Sequence, residues 1–314
     1  MKALVTGGAG FIGSHLTERL VQEGIEVRVL DNFSTGRRDN LAAVASCIEL
    51  VDGDVRDYQV MCESVRGVEV VFHQAALCSV PRSVEEPQET NSVNIGGTLN
   101  VLLAARDEKV RRVVYASSSS VYGNTPPLPK HEAQIPVPAS PYAITKLTSE
   151  LYCRNFHQLF GLQTFALRYF NVFGPRQVQD SPYATAIPVF ISALLRGEPP
   201  VIYGDGNQSR DFSYVGNVVE ANLLAMKAEA GFGEAFNIAC GQRTTVKQLA
   251  DQLAALLKVA IEPVHQQPRP GDVRHSLADI AKAETILGYR PKTSFSVGLE
   301  CTVEWYSNHK RNLQ

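Results

Sequence analysis

The stretch MKALVTGGAGFIG, Met1 to Gly13, decides how the remaining residues are read. Lys2 to Thr6 is a short apolar run of the kind that forms a buried parallel strand. It runs into Gly7, Gly8, Ala9, Gly10, Phe11, Ile12 and Gly13, and a helical pattern (HLTERLVQEG) follows from Ser14. A strand that ends on glycines and turns into a helix aims unpaired backbone N–H groups at one point, where a phosphate can sit. The glycines permit a tight turn, close approach of backbone to a pyrophosphate, and close packing of helix on strand. Gly8, Gly10 and Gly13 satisfy GxGxxG, and Gly7, Gly10 and Gly13 satisfy the more open GxxGxxG. Taken alone, such a pattern fits any glycine-rich turn. Here a second strand, Ile25 to Leu30, ends at Asp31, about 20 residues on, where a ribose-binding carboxylate belongs.

Asp31 also selects the cofactor. A carboxylate there accepts hydrogen bonds from ribose hydroxyls and repels a 2′-phosphate, so NAD is expected. Arg37 and Arg38 are the residues that would serve NADP, but loop arginines are more often simply solvated.

The chain has 314 residues, enough for a large core and more than the usual single-core size. A dinucleotide-binding domain over residues 1–170, rejoined by 215–240, is expected beside a mainly substrate-binding domain over 171–314. A net charge of −2 implies no general attraction to nucleic acid. With a core strand at the start of the sequence no signal peptide is expected, and there is no apolar run long enough to span a bilayer. Cys47, Cys62, Cys78, Cys153, Cys240 and Cys301 are scattered without metal-ligand spacing, so reduced thiols and no metal are expected in a cytoplasmic protein.

Strand and helix patterns alternate through the first half. Further strands are read at Cys47 to Val51, Val68 to Phe72, Val110 to Ala116 and Leu162 to Leu167. Helices are read at Asn91 to Arg106 and Tyr142 to Phe160, around a proline-rich loop from Asn124 to Pro138. Strands joined by helical crossovers make a Rossmann-type, doubly wound parallel sheet, an α/β fold whose ligands bind beyond the carboxyl ends of the strands. Later helices are read at Ile187 to Arg196, Val215 to Glu229, Val246 to Leu257, Ile280 to Leu287 and Ser296 to His309, with a strand at Ala235 to Ala239.

Ser117 to Ser120 end the fifth strand, and Tyr142 and Lys146 lie four apart on one face of the next helix. An ammonium beside a phenol favours the phenolate, so the Tyr142 pKa is expected to fall toward neutrality. Such a tyrosine can take a proton from a substrate hydroxyl while the carbon beneath is oxidised by NAD, with a serine hydroxyl sharing the same oxygen.

With these residues in view, the chain resembles the extended short-chain dehydrogenase/reductases, and within them the nucleotide-sugar epimerases. The resemblance rests on TGGAGFIG (6–13), DNFSTG (31–36), HQAA (73–76), SSSSVYG (117–123), PYAITK (141–146), RYFNVFGPR (168–176), RDF (210–212) and GDVRHS (271–276). It is strongest to the 4-epimerases of UDP-sugars, on the branch acting on UDP-N-acetylglucosamine. The resemblance implies an NAD-dependent isomerase of nucleotide-sugar metabolism and polysaccharide biosynthesis. It implies Tyr142 as base and acid, Lys146 as its tuning partner and a nicotinamide-ribose ligand, and Ser118 as its hydroxyl partner, with Ser119 and Ser120 assisting. For NAD it implies Gly7, Gly10, Phe11, Ile12, Gly13, Asp31, Asn32, Ser34, Gly36, Asp54, Val55, Gln74, Ala75, Ala76, Asn94 and Tyr169. For the UDP part it implies Asn171, Ala186, Ile187, Tyr203, Arg210, Arg269 and Asp272. It also implies a homodimer through the helices at 90–106 and 142–160.

Two departures set the substrate expectation. UDP-glucose epimerases of the family often carry a lysine where Cys78 stands, so that sugar contact is either missing here or replaced by Ser79. Their bulky tyrosine is replaced by Ser276, which leaves room for an N-acetyl group. A sugar 4,6-dehydratase should place an Asp-Glu pair after the catalytic serine, where this chain reads Ser118-Ser119-Ser120-Val121. A UDP-glucuronate 4-epimerase or decarboxylase stays open, with Arg82 or Arg176 as the carboxylate partner. A non-catalytic NAD-binding regulatory module is the rival of another class, and intact Ser118, Tyr142 and Lys146 speak against it.

Overall fold

The computed structural model describes residues 1–178, 185–267 and 274–311. Seven strands form the central sheet: β1 (Lys2–Thr6), β2 (Glu26–Asp31), β3 (Ile48–Asp52), β4 (Val70–His73), β5 (Arg112–Ser118), β6 (Gln163–Tyr169) and β7 (Glu234–Ile238). They pair in the order β7-β6-β5-β4-β1-β2-β3, and all six pairings are parallel. The winding direction reverses between β1 and β4, which opens a crevice beyond their carboxyl ends.

Side chains that alternate along each strand enter two different cores. On one face Val5, Val29, Phe72, Val114, Leu167 and Phe236 pack with α1 (Phe11–Gln22) and, later in the chain, the helix Val215–Lys227. On the other, Leu4, Leu30, Val71, Val113, Tyr115 and Ala166 pack with α2 (Tyr58–Val65), α3 (Gly97–Asp107) and α4 (Pro141–Phe160). Burial on both faces explains why these strands read as unbroken apolar runs.

α4 is delimited by local chemistry. The Ser140 hydroxyl accepts from the Ala143 N–H at 3.2 Å, Pro141 sits in the first turn, and Gly161 closes the helix at φ +70°. Past β6 a third core gathers Phe173, Phe190, Ile202, Phe212, Leu249 and Leu299. It lies among α5 (Ala186–Arg196), α7 (Val246–Leu257) and α9 (Phe295–Arg311); α6 (Val215–Lys227) and α8 (Ala281–Leu287) complete the helices used below. Among the described residues no helix is long and apolar enough to cross a membrane.

The structure departs from the sequence expectation in a few places. α1 starts at Phe11 rather than Ser14, because the glycine turn closes directly into the helix with Gly10 as its cap. The single helix expected at Asn91 to Arg106 is a helix Pro87–Asn91, a wide turn Ser92–Gly96, and α3. Gly97 follows that turn because a Cβ there would come within 2.6 Å of the Val55 side chain. α2 escaped the reading although Asp57 caps it, its carboxylate accepting from Gln59 N–H and Val60 N–H.

Candidate active site

A crevice of about 250 Å³ runs along the carboxyl ends of β1, β2, β4 and β5. Among its lining residues are Gly7, Gly10, Phe11, Ile12, Gly13, Asp31, Asn32, Ser34, Asp54, Val55, Gln74, Ala75, Ala76, Tyr142, Lys146 and Tyr169. These are the residues expected to hold NAD, with two exceptions. Gly36 lies against the Asp31 carboxylate, which a Cβ there would approach to 3.0 Å. Asn94 is buried; its amide brackets the backbone of Leu77, accepting from its N–H at 2.8 Å and donating to its carbonyl at 3.0 Å. It therefore shapes the 74–78 loop from behind. Ser118, expected as the hydroxyl partner of Tyr142, ends β5 directly after the lining residue Ser117.

The crevice fits a dinucleotide. Gly7 has φ +67°, and a Cβ there would lie 2.7 Å from the Ala75 nitrogen, so only glycine lets the two loops meet. The helix behind the turn carries no side-chain cap, which leaves its first N–H groups available to an anion. Asp31 accepts from Ala9 N–H at 2.9 Å and from Phe33 N–H at 2.8 Å, so both carboxylate oxygens are fixed at the end of β2. Asn32 donates to Asp54 at 2.8 Å, and the Arg56 guanidinium beside Asp54 brings its pKa down to about 2. Arg56 also lines the crevice and reaches Glu89 at 2.9 Å; sequence reading missed both residues. Gln74 donates at 3.1 Å to the hydroxyl of Tyr169 and at 3.1 Å to Asn222 of α6. Asn222 was invisible in the sequence because its partners lie far away in the chain.

The residues expected to be catalytic come together where β5 meets α4. Lys146 is buried, donates to the Ala116 carbonyl at 2.7 Å, and lies 5.8 Å from the centre of the Tyr142 ring. Burial lowers its pKa to about 8. The expectation that this ammonium draws the Tyr142 phenol toward neutrality is corrected: burial dominates and pushes the phenol well above its ordinary value. The hydrogen bond with Ser118 opposes that rise. Ser118 in turn accepts from Ser120 N–H at 3.2 Å, and the Ser120 hydroxyl is buried without a partner among the described residues. Ser79 caps the short helix Val80–Glu85 by accepting from Arg82 N–H at 3.2 Å.

A second cavity, about 290 Å³, lies beyond β6 and brings together Asn171, Ala186, Ile187, Tyr203 and Arg210. Ser276 is tied to it, its hydroxyl accepting from the Asn171 amide at 2.9 Å. Arg269 and Asp272 lie outside the described residues. Tyr169 at the crevice and Asn171 at the second cavity are two residues apart, so the two spaces adjoin. Among the described residues no group of three or more His, Cys, Asp or Glu side chains is placed to hold a metal ion.

Comparison with known proteins agrees with this geometry. Residues 3–239 match the NAD dependent epimerase/dehydratase family. A protein described as a putative UDP-glucose 4-epimerase of Methanocaldococcus jannaschii is 39% identical over 98% of this chain and 99% of its own. The crystal structure of the Thermotoga maritima UDP-glucose 4-epimerase with UDP-glucose matches at TM-score 0.94 and 41% identity, covering 100% of both chains. The UDP-N-acetylglucosamine 4-epimerase of Methanobrevibacter ruminantium, solved with UDP-N-acetylmuramic acid, matches at TM-score 0.94 and 41% identity, covering 98% of each chain. A family match over most of the chain and a crevice built for a dinucleotide lead to one statement: this chain belongs to the NAD dependent epimerase/dehydratase family, and its cofactor is NAD.

Proposed function

We propose that this chain inverts C4 of UDP-sugars, with UDP-N-acetylglucosamine and UDP-N-acetylgalactosamine as the preferred pair and UDP-glucose and UDP-galactose as a further pair. The carrying observation is the second cavity, where Asn171, Ala186, Ile187, Tyr203 and Arg210 meet, with Asn171 two residues along the chain from Tyr169 of the crevice. Arg210 meets the diphosphate by charge-assisted bonds, and Arg269 and Asp272 join it on the strength of their motif. The small Ser276, bonded to Asn171, leaves volume beside the sugar's C2 substituent.

Tyr142 exchanges the proton of the sugar's O4, and Ser118 holds the same oxygen through its bond with the phenol. Lys146 keeps the end of β5 in register through the Ala116 carbonyl and places a positive charge beside the phenol. When bound in the crevice, NAD would supply the two-electron acceptor and donor for C4. Strong anchoring of the nucleotide and small groups around the sugar let the hexose turn between its two faces.

The uronate reading is weakened because both arginines proposed for it already hold carboxylates. Arg82 reaches Glu86 at 2.8 Å, and Arg176 reaches Glu18 at 2.6 Å. We further propose the division into an NAD-binding part at 1–170 with 215–240 and a substrate part over most of 171–314. A cytoplasmic location and a homodimer complete the proposal; Ile144, Leu151 and Leu159 on α4 are exposed apolar residues suited to that dimer.

The test is a panel of UDP-sugars followed by NMR, with NAD present at far less than one equivalent of sugar. Each turnover restores the cofactor, so conversion should run well past the NAD supplied and be fastest for UDP-N-acetylglucosamine. No 4-epimer from any UDP-sugar would overturn the proposal.

A further inference from the structure

Arg210 and Phe212 line the second cavity, while Asp211 between them faces away and is fully buried. Its carboxylate gathers backbone N–H groups from two distant stretches of chain. It accepts from Cys240 at 3.0 Å, from Gly241 at 3.1 Å and from Ala278 at 3.1 Å. Its own backbone is engaged as well. The Asp211 carbonyl accepts from the Asn171 amide at 2.9 Å, and its N–H donates to the Ser276 hydroxyl at 3.2 Å. Ser276 N–H closes the frame by donating to the Ser209 carbonyl at 3.0 Å.

A carboxylate is the side chain with enough acceptor positions to hold several N–H groups at once. Burying one costs free energy, and burial pushes the Asp211 pKa up to about 6 against these bonds. Such a cost is understandable where the charge fixes a geometry that function needs.

We propose that Asp211 is the positioning residue of the nucleotide cavity: it locks three chain segments into one frame that sets Asn171, Arg210 and Ser276 for a nucleoside diphosphate. This rests on the functional reading above. Asp211 touches no ligand. It acts through its neighbours on either side and through the two polar side chains bonded to its backbone.

The first test is Asp211→Asn in the full chain, with UDP and NAD titrated separately by calorimetry. The NAD crevice lies on other elements, so UDP should bind about tenfold more weakly while the NAD dissociation constant stays within about twofold. Unchanged UDP binding overturns the proposal, and so does equal weakening of both ligands, which would mean general loosening. A wild-type protein that binds no UDP overturns the functional reading, and the proposal falls with it.

The second test uses the wild type and decides the matter even if the variant does not fold. UDP-glucose has no ionisation near pH 6, so its binding reports the protein. Affinity should fall about tenfold between pH 7.5 and pH 5, following protonation of a carboxyl whose pKa is about 6. Cys240 and Tyr289 also face Asp211, and His275 bonds the Ser209 hydroxyl at 2.9 Å. Burial raises Cys240 and Tyr289, which keeps them neutral through this range. Because the folded pKa of Asp211 lies above the ordinary carboxylate value, its protonation stabilises the fold, so acid weakening by this route is not unfolding. A flat or rising affinity in acid overturns the proposal.

Discussion

Tyr142 holds its proton firmly because it is buried, and the hydrogen bond with Ser118 works the other way. A phenol in that state needs its surroundings to accept negative charge at the moment of proton transfer. Lys146 stands ready for that, fixed by the Ala116 carbonyl and brought by burial to a pKa of about 8. Tyr142→Phe removes the hydroxyl and nothing else, so turnover should drop about 10² to 10⁴-fold. Steady-state rates measured beside calorimetry of UDP and NAD check this, and both ligands should bind as before. A variant with near-normal turnover would remove Tyr142 from the chemistry. The pairing of Tyr142 with Lys146 was legible because four-residue spacing sets a common helix face. The direction of the Tyr142 shift was not legible, since it depends on how much protein the fold stacks over the ring.

β5, α4 and β6 are joined by a buried polar chain behind the catalytic group. Ser117 donates to Glu150, Glu150 pairs with Arg168 at 2.7 Å, and Arg168 donates at 2.8 Å to the Tyr122 hydroxyl. Tyr122 continues to Asn237 of β7 at 2.7 Å. Glu150 lies one turn beyond Lys146 on α4, so the same helix presents the ammonium and anchors the strand it touches. Glu150→Ala leaves the Arg168 charge buried without its partner and should cost about 3–5 kcal/mol in urea unfolding. Pairing it with Arg168→Met should recover most of that loss, because a buried pair replaced by apolar groups is often neutral. A cost below about 1 kcal/mol for Glu150→Ala would contradict the view of these elements as one unit. The elements themselves were legible where apolar runs or helical periods were long, as in β1, β5 and α4. Short elements such as Val80–Glu85 and the wide turn Ser92–Gly96 were not, because tertiary contacts specify them more than local sequence does.

Across the whole molecule, one sheet supplies the cofactor crevice and the chain beyond β6 supplies the adjoining cavity. The glycine turn and Asp31 announced the crevice in the sequence because a phosphate cradle and a ribose acceptor require those residue types in that order. The second cavity was legible through resemblance alone. Its members are spread from Asn171 to Ser276, and no local spacing connects them. Asn222 and Asp211 escaped notice for the same reason, since each works through partners brought near only by the folded chain. The proposed reaction makes one demand: the hydrogen removed from C4 stays inside the crevice and returns to the same carbon. UDP-N-acetylglucosamine labelled with deuterium at C4 and turned over in ordinary water measures that directly. The account predicts UDP-N-acetylgalactosamine that keeps its deuterium at C4; loss of the label to the solvent would contradict it.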